Sequence, residues 1–138
     1  MVRRSPPFAR LKVGQRDHGV CALCGVDTRR QQGAYHRLGR AVLRRAGREP
    51  FRGRGYSEWR PHAWMGPEVG PVRELAMQKY GIPYGRLETD WWDCDHILPV
   101  VEGGGACGLE GLRTLCIPCH QAETAALRAR LAGARPAA

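Results

Sequence analysis

The chain contains no long hydrophobic run. No uninterrupted apolar stretch in its 138 residues approaches the roughly 20 residues that a membrane-spanning helix needs. The opening segment, MVRRSPPFAR, lacks the apolar centre and the small-residue cleavage site of a secretory signal. A membrane protein and a secreted disulfide-rich mini-protein are therefore poor fits, and we expect a cytoplasmic protein associated with the nucleoid.

Acidic residues are scarce in the first part of the chain, and lysine is scarce throughout. Residues 1–60 contain 15 Lys or Arg against 4 Asp or Glu, whereas residues 61–138 contain 7 against 9. Lys12 and Lys79 are the only lysines, so arginine supplies almost all of the positive charge. A basic half joined to a mildly acidic half is typical of a protein that binds nucleic acid and carries a separate acidic site.

The N-terminal region is predicted to contain a basic arm and a helix. Residues 1–16 show little periodicity, and we predict a flexible arm there. Residues 33–47 show a helical period, with an apolar stripe formed by Tyr35, Leu38, Val42 and Ala46. A second stripe at the same spacing is formed by Arg37, Arg40, Arg44 and Arg48. These arginines either cover a solvated face or bind nucleic-acid phosphates, and we take the second as the working hypothesis.

The remaining elements are indicated by glycine, proline and β-branched residues. Residues 49–70 are predicted as a long loop that Trp59 and Trp64 attach to the body of the protein, before a short helix over residues 71–80. A strand ending near His96 and a second strand over residues 112–115 follow, and the last helix runs from Pro118 to Gly133. Helices combined with a strand–strand–helix order predict a small α+β fold.

Four of the six cysteines form two pairs with identical spacing, Cys21–Cys24 and Cys116–Cys119. Two thiolates on one tight turn can reach a single ion, and two such turns complete a tetrahedron. We therefore predict one structural Zn²⁺ that joins the start of the domain to its last helix. Metal sites of this kind contribute roughly 10–16 kcal/mol to the folding of zinc-finger peptides.

Redox and disulfide chemistry are the alternatives for these cysteines. A redox protein needs only one such pair, near a βαβ unit that this chain lacks, and disulfides would require export. His18 is a weaker candidate ligand for the zinc. Cys94 and Cys107 are predicted to be buried free thiols.

Asp95, His96 and His120 are the candidate catalytic residues. Asp95 and His96 end the predicted strand, and His120 directly follows Cys119, so the structural metal would fix its position. Phosphodiester cleavage with one metal ion needs a carboxylate and an imidazole that hold a divalent ion, and a neutral histidine that deprotonates water. For each histidine taken alone, a capping or core role is the alternative.

The stretch WDCDHILPVVEGGGACGLEGLRTLCIPCHQAET, read with Cys21 and Cys24, resembles the core of the HNH endonuclease family. It contains that family's Asp-His-Ile, its Gly-rich loop and its Leu-Cys-x-x-Cys-His in order. The resemblance implies a ββα-metal (His-Me finger) core with a four-cysteine zinc site, extra helices and long loops. We expect a single domain over residues 17–133, with the zinc knuckle at 21–24, an insertion at 26–90, the core at 91–133 and a tail at 134–138.

The resemblance also implies a role for each matching residue. Asp95 and His120 would hold a catalytic Mg²⁺ or Mn²⁺, His96 would be the general base, and the four paired cysteines would hold structural Zn²⁺. The substrate would be double-stranded or branched DNA. Trp92 and Asp93 match the residues that precede the family's Asp-His pair, with Asp where Glu is usual.

One position departs from the family pattern. An asparagine that orients the base histidine normally precedes Leu112, and this chain has Gly111 there. Loss of such an orienting partner typically costs about 10–100-fold, so Gly111→Asn is expected to increase turnover. We expect a metal-dependent endonuclease with low sequence specificity. The alternatives are a catalytically impaired zinc-knuckle module that binds nucleic acid and a zinc-knuckle module that binds proteins.

Overall fold

The computed structural model describes residues 6–48 and 67–134. The helices are α1 (Pro6–Asp17), α2 (Thr28–Arg45), α3 (Gly70–Tyr80) and α4 (Ile117–Gly133), and the strands are β1 (Trp92–His96) and β2 (Leu112–Cys116). The predicted α+β class, the strand–strand–helix order and the last helix are therefore confirmed. No helix within the described ranges has the length and apolar character needed to cross a membrane. The chain forms two compact units, one from residues up to Thr28 together with those from Trp92 onward, the other from Arg29–Trp91.

The first unit is built on a two-stranded antiparallel sheet. The register runs from Trp92 opposite Cys116 to His96 opposite Leu112, with Asp95 opposite Arg113. Because side chains alternate along a strand, Asp93 and Asp95 share one face of β1.

Helix α1 packs against this sheet, and this corrects the predicted flexible arm. Val13 is fully buried and forms a core cluster with Trp92 and Leu112. The Arg10 guanidinium lies 4.0 Å from the centre of the Trp92 ring and donates a hydrogen bond of 2.8 Å to the Trp92 carbonyl. Arg16 donates to the carbonyls of Leu109 and Leu112, at 2.7 and 2.8 Å. Residues 6–16 therefore form a helix that packs on the sheet through Val13, and these two arginines stabilise the fold.

The second unit contains most of α2, all of α3, and a core centred on Trp91. The Trp91 ring is fully buried, and its Nε1–H donates to the Leu87 carbonyl at 3.1 Å. The rings of Tyr35 and Tyr80 pack against it in tilted orientations, with centroids 5.3 and 5.4 Å away. Helix α3 ends at Tyr80 and is capped by Gly81, which adopts a φ of 66° and donates its N–H to the Met77 carbonyl.

The apolar stripe predicted for α2 is displaced in the structure. Tyr35 and Leu43 are buried, whereas Leu38 is 42% exposed. Within residues 33–47 the buried positions are Tyr35, Gly39 and Leu43, which are spaced four residues apart. Of the predicted apolar stripe, only its first residue, Tyr35, is among them. Trp59, Trp64 and most of the predicted loop lie outside the described residues.

Candidate functional site

The two cysteine pairs meet at one point in the first unit. The four Sγ atoms of Cys21, Cys24, Cys116 and Cys119 all lie within 4.8 Å of one another, and those of Cys24 and Cys116 are 3.7 Å apart. Zn–S bonds of about 2.3 Å in a tetrahedron place sulfur atoms about 3.8 Å apart, so the cluster fits a tetrahedral ion of this size. The predicted convergence of the two pairs is confirmed.

Backbone hydrogen bonds hold the first cysteine turn in place. The N–H of Cys21 donates to the Val26 carbonyl, and the N–H of Gly25, whose φ is 75°, donates to the Cys21 carbonyl, both at 2.9 Å. The N–H of Ala22 donates to the Thr114 carbonyl at 2.8 Å and thereby ties this turn to β2. The second pair needs no such tie because Cys116 ends β2 and Cys119 lies in the first turn of α4.

Local electrostatics favour a thiolate in this cluster. Burial raises the pKa of the Cys21 thiol, but hydrogen bonds from backbone N–H groups outweigh burial and lower the pKa to about 6. The largest of these hydrogen-bond contributions comes from the N–H of Cys24. At Cys116 burial prevails and the pKa is raised. A cation bound among the four sulfurs would favour the thiolate form of all of them.

The other predicted thiol and imidazole candidates lie outside this cluster. His18 is not among the four residues whose ligand atoms converge. Cys94 is half-buried, and Cys107 is exposed, so the prediction that Cys107 is buried is wrong. Cys107 belongs to the turn after the Gly-rich loop and packs against Gly111 rather than into a core.

A second cluster lies where β1 meets the start of α4. His120 Nδ1 is 2.8 Å from Asp93 Oδ2, and His120 Nε2 is 3.8 Å from Asp95 Oδ1. Asp93 and Asp95 come from one face of the strand, and Cys119 fixes the adjacent His120 at the helix start. The structure therefore brings together two of the three predicted catalytic residues, Asp95 and His120.

This arrangement has a direct chemical consequence for His120. An ionised carboxylate only accepts hydrogen bonds, so the short contact places the proton of the neutral ring on Nδ1. The Nε2 lone pair is then available toward Asp95. The oxygen and nitrogen atoms, 3.8 Å apart, are close enough to contact one divalent ion whose bonds are each about 2.1 Å long.

Two charged residues that the sequence analysis did not identify complete the cluster. Arg113 Nε donates a hydrogen bond to Asp95 Oδ2 at 3.0 Å, while Arg113 Nη2 forms an ion pair with the same oxygen at 3.0 Å and donates to Glu123 Oε2 at 2.8 Å. Arg113 could have been found from the strand register, which places it opposite Asp95. Glu123 could have been found from its i, i+3 spacing to His120 on α4.

His96 occupies the end of β1 and is half-buried. Strand alternation places it on the opposite face from Asp93 and Asp95. The ion pairs and hydrogen bonds that join the described residues of the second cluster do not include His96. The next residue, Ile97, donates its N–H to the Gly111 carbonyl at 2.9 Å, so Gly111 lies directly beside the end of this strand.

Gly111 lies in close contact with the side chain of Cys107. A Cβ at this position would lie 2.5 Å from Cβ and 2.8 Å from Sγ of Cys107. The side chain of Cys107 therefore occupies the space into which a side chain at position 111 would extend.

The predicted nucleic-acid-binding arginines belong to the second unit. Arg37, Arg44 and Arg48 are exposed on α2 or just after it, and Arg40 is half-buried. Arg48 forms an ion pair of 3.1 Å with Glu68. The stripe is thus a positively charged helix surface, and binding of nucleic acid to it stays a prediction.

The second cluster lies in a segment that matches a known class of protein. Residues 85–126 match the family described as HNH endonuclease, which agrees with the resemblance found in the sequence. This match covers both strands, the Gly-rich loop and the first turns of α4.

Individual relatives with this similarity are known. The chain is 32% identical over 126 residues to the DNA annealing helicase and endonuclease ZRANB3 of Homo sapiens, and 32% identical over 130 residues to that of Mus musculus. Each alignment covers 90% of this chain, which spans about a tenth (10%) of the length of these relatives. The crystal structure of the human ZRANB3 HNH domain aligns with a TM-score of 0.48 and 28% identity, over 87% of this chain and 86% of that one.

Proposed function

We propose that this chain is a metal-dependent endonuclease domain that hydrolyses phosphodiester bonds in DNA with low sequence specificity. The observation that carries the proposal is the 3.8 Å distance between Asp95 Oδ1 and His120 Nε2, inside the segment that matches the HNH endonuclease family. DNA is the proposed substrate because the curated relatives are named as DNA annealing helicases and endonucleases.

Structural Zn²⁺ is proposed for the four-cysteine cluster. Four sulfur ligands at tetrahedral spacing leave no open position for a substrate, which is typical of a structural site. The ion would hold the first cysteine turn against α4 and so keep His120 next to β1.

Asp95 and His120 are proposed to hold the catalytic Mg²⁺ or Mn²⁺. Such an ion, when bound, neutralises the charge that develops on the phosphate and on the leaving oxygen. Asp93 accepts a hydrogen bond from the Nδ1–H of His120, which would keep Nε2 directed at the ion site. Carboxylates that orient a ligating histidine in this way typically contribute 10–100-fold in metal affinity or activity.

His96 is proposed as the general base that takes a proton from the attacking water. His96 lies at the end of β1 directly after Asp95, where the imidazole would have to reach the attacking water around the edge of the strand. Proton transfer by a positioned side chain contributes about 10²–10⁴-fold to rate. The arginines of α2 are proposed to bind backbone phosphates, a contact that is independent of sequence and sensitive to salt.

Cleavage of supercoiled plasmid tests this proposal. The zinc-loaded wild-type protein is expected to nick the plasmid with added Mg²⁺ or Mn²⁺, and His96→Ala is expected to reduce the rate at least about 100-fold. Equal cleavage by both proteins would contradict the role of His96, and no cleavage by wild type with either ion would contradict the endonuclease proposal.

A catalytically impaired zinc-knuckle module that binds nucleic acid is the second candidate. It is favoured by Gly111, which replaces the orienting asparagine of the family, and by the Cys107 side chain that fills the adjacent space. Salt-dependent binding to duplex DNA without metal-dependent cleavage would identify this function.

A further inference from the structure

Arg113 stands in an unusual place for a cation, because it lies beside a proposed metal ligand. Its guanidinium is bound on one side by Asp95 and on the other by Glu123, and its side chain is only 16% exposed. Asp95 is 19% exposed. The pair is therefore largely shielded from solvent.

The two oxygens of Asp95 have different partners. Oδ2 accepts a hydrogen bond from Arg113 Nε and forms an ion pair with Nη2, each at 3.0 Å, whereas Oδ1 lies 3.8 Å from His120 Nε2. We call these two contacts the Arg113 fork; together they hold Oδ2, and with it the orientation of the carboxylate. Glu123 Oε2, 2.8 Å from Nη2, holds the guanidinium in turn.

We infer that Arg113 is a positioning residue that sets which divalent ions the site accepts; this inference rests on the proposed function of Asp95 and His120. With Oδ2 held by Arg113, Asp95 offers the ion a single oxygen. Mg²⁺ and Mn²⁺ are suited to six ligands in octahedral geometry, each from a separate group. Ca²⁺ accepts six to eight oxygens and can bind a carboxylate through both of its oxygens, a mode that the Arg113 fork denies to Asp95, so the fork disfavours Ca²⁺.

A simple effect of charge predicts a different outcome. The positive charge of Arg113 repels every divalent ion about equally, so its removal would strengthen Mn²⁺ and Ca²⁺ binding by the same factor. The ratio of the two affinities is therefore the informative quantity, because it responds to the number of oxygens offered and not to charge alone.

Competition of Ca²⁺ against Mn²⁺ on the zinc-loaded full chain measures this ratio, with free Mn²⁺ followed by electron paramagnetic resonance. Arg113→Met removes the fork at similar length, and it is expected to shift the ratio toward Ca²⁺ about tenfold, within the range known for residues that orient metal ligands. Glu123→Ala, at a half-exposed position, keeps the Arg113 charge and is expected to shift the ratio in the same direction by a smaller factor. Arg128→Gln, which removes one exposed charge from the same helix, is the matched control and should leave the ratio unchanged.

Parallel changes in both affinities, with an unchanged ratio in Arg113→Met and Glu123→Ala, would overturn the inference. Asp95→Asn separates this failure from failure of the proposed function. If Asp95→Asn does not weaken Mn²⁺ binding, the ion site itself is wrong; if it does and the ratio stays constant in the Arg113 variant, only the role of Arg113 is wrong.

Discussion

Gly111→Ala is expected to destabilise the first unit through a single contact with Cys107. The added Cβ would lie 2.5 Å from Cys107 Cβ, whereas carbon atoms in normal contact are about 3.5–4.0 Å apart. One of the two residues must therefore move by about 1 Å. Overpacking of this kind costs about 1–3 kcal/mol, which for a chain of this length lowers Tm by roughly 3–12 °C.

Thermal melting of a double-mutant cycle tests this reasoning. Cys107→Gly removes both atoms that a side chain at position 111 would meet, so Gly111→Ala should cost little in that background. Cys107→Ala removes only Sγ and keeps the closer Cβ contact, so the full cost should persist there. Equal Tm losses in all three backgrounds, or equal relief by Cys107→Ala and Cys107→Gly, would refute the steric account.

The same contact changes the expectation for restoring the family asparagine. Gly111→Asn alone is expected to lose stability and gain no turnover, because its side chain has no room beside Cys107. The double variant Cys107→Gly/Gly111→Asn is expected to cleave plasmid faster than wild type. If the single variant Gly111→Asn also cleaves faster than wild type, the Cys107 side chain moves aside and the steric argument is wrong.

Further predictions concern separate parts of the molecule. Cys116→Ser should lower Tm by more than 10 °C, in line with loss of about 3 kcal/mol or more, while His96→Ala should change it by less than about 2 °C. Asp93→Ala should weaken Mn²⁺ binding about 10–100-fold and Asp93→Asn, which keeps an acceptor for His120, should weaken it less, both measured by titration calorimetry. Burial, with a smaller contribution from Arg40, lowers the pKa of His36 to about 4, so stability should fall as pH drops from about 6.5 toward 4. Denaturant midpoints across that window should fall less in His36→Phe.

Each of these predictions has a result that contradicts it. Equal Tm changes in Cys116→Ser and His96→Ala would remove the distinction between structural and catalytic residues. Equal weakening by Asp93→Ala and Asp93→Asn would show that the hydrogen bond to His120 does not matter. The same acid sensitivity in wild type and His36→Phe would show that the buried imidazole is not responsible. Stability is expected to fall with pH because the unfolded state binds a proton on His36 at a higher pH than the native state, which buries the neutral ring.

The four-cysteine cluster and the last three elements could be predicted because their signals are local. The CxxC spacing fixes which thiols can share an ion, and the β-branched run, Pro118 and Gly133 mark the strands and the helix. His120 was predictable for the same reason, since one peptide bond joins it to a cysteine of the cluster.

The role of α1 and of Arg113 could not be predicted because it depends on contacts between distant residues. Prolines and arginines near the N-terminus resemble a disordered arm, yet Arg10 and Arg16 bind carbonyls of residues 82 to 96 positions away. Likewise, Arg113 meets Asp95 only through the register of the sheet, which depends on the loop between the strands. The buried stripe of α2 includes Tyr35, whose ring packs against Trp91 with centroids 5.3 Å apart, and this contact between distant residues is not visible in the helix periodicity.

Anomalous X-ray diffraction from crystals of the zinc-loaded protein soaked in Mn²⁺ tests the two-metal arrangement most directly. A zinc peak is expected at the centre of the four Sγ atoms, and a separate manganese peak is expected within about 2.3 Å of both Asp95 Oδ1 and His120 Nε2. Manganese bound elsewhere, or a zinc peak that involves only one of the two cysteine pairs, would contradict it.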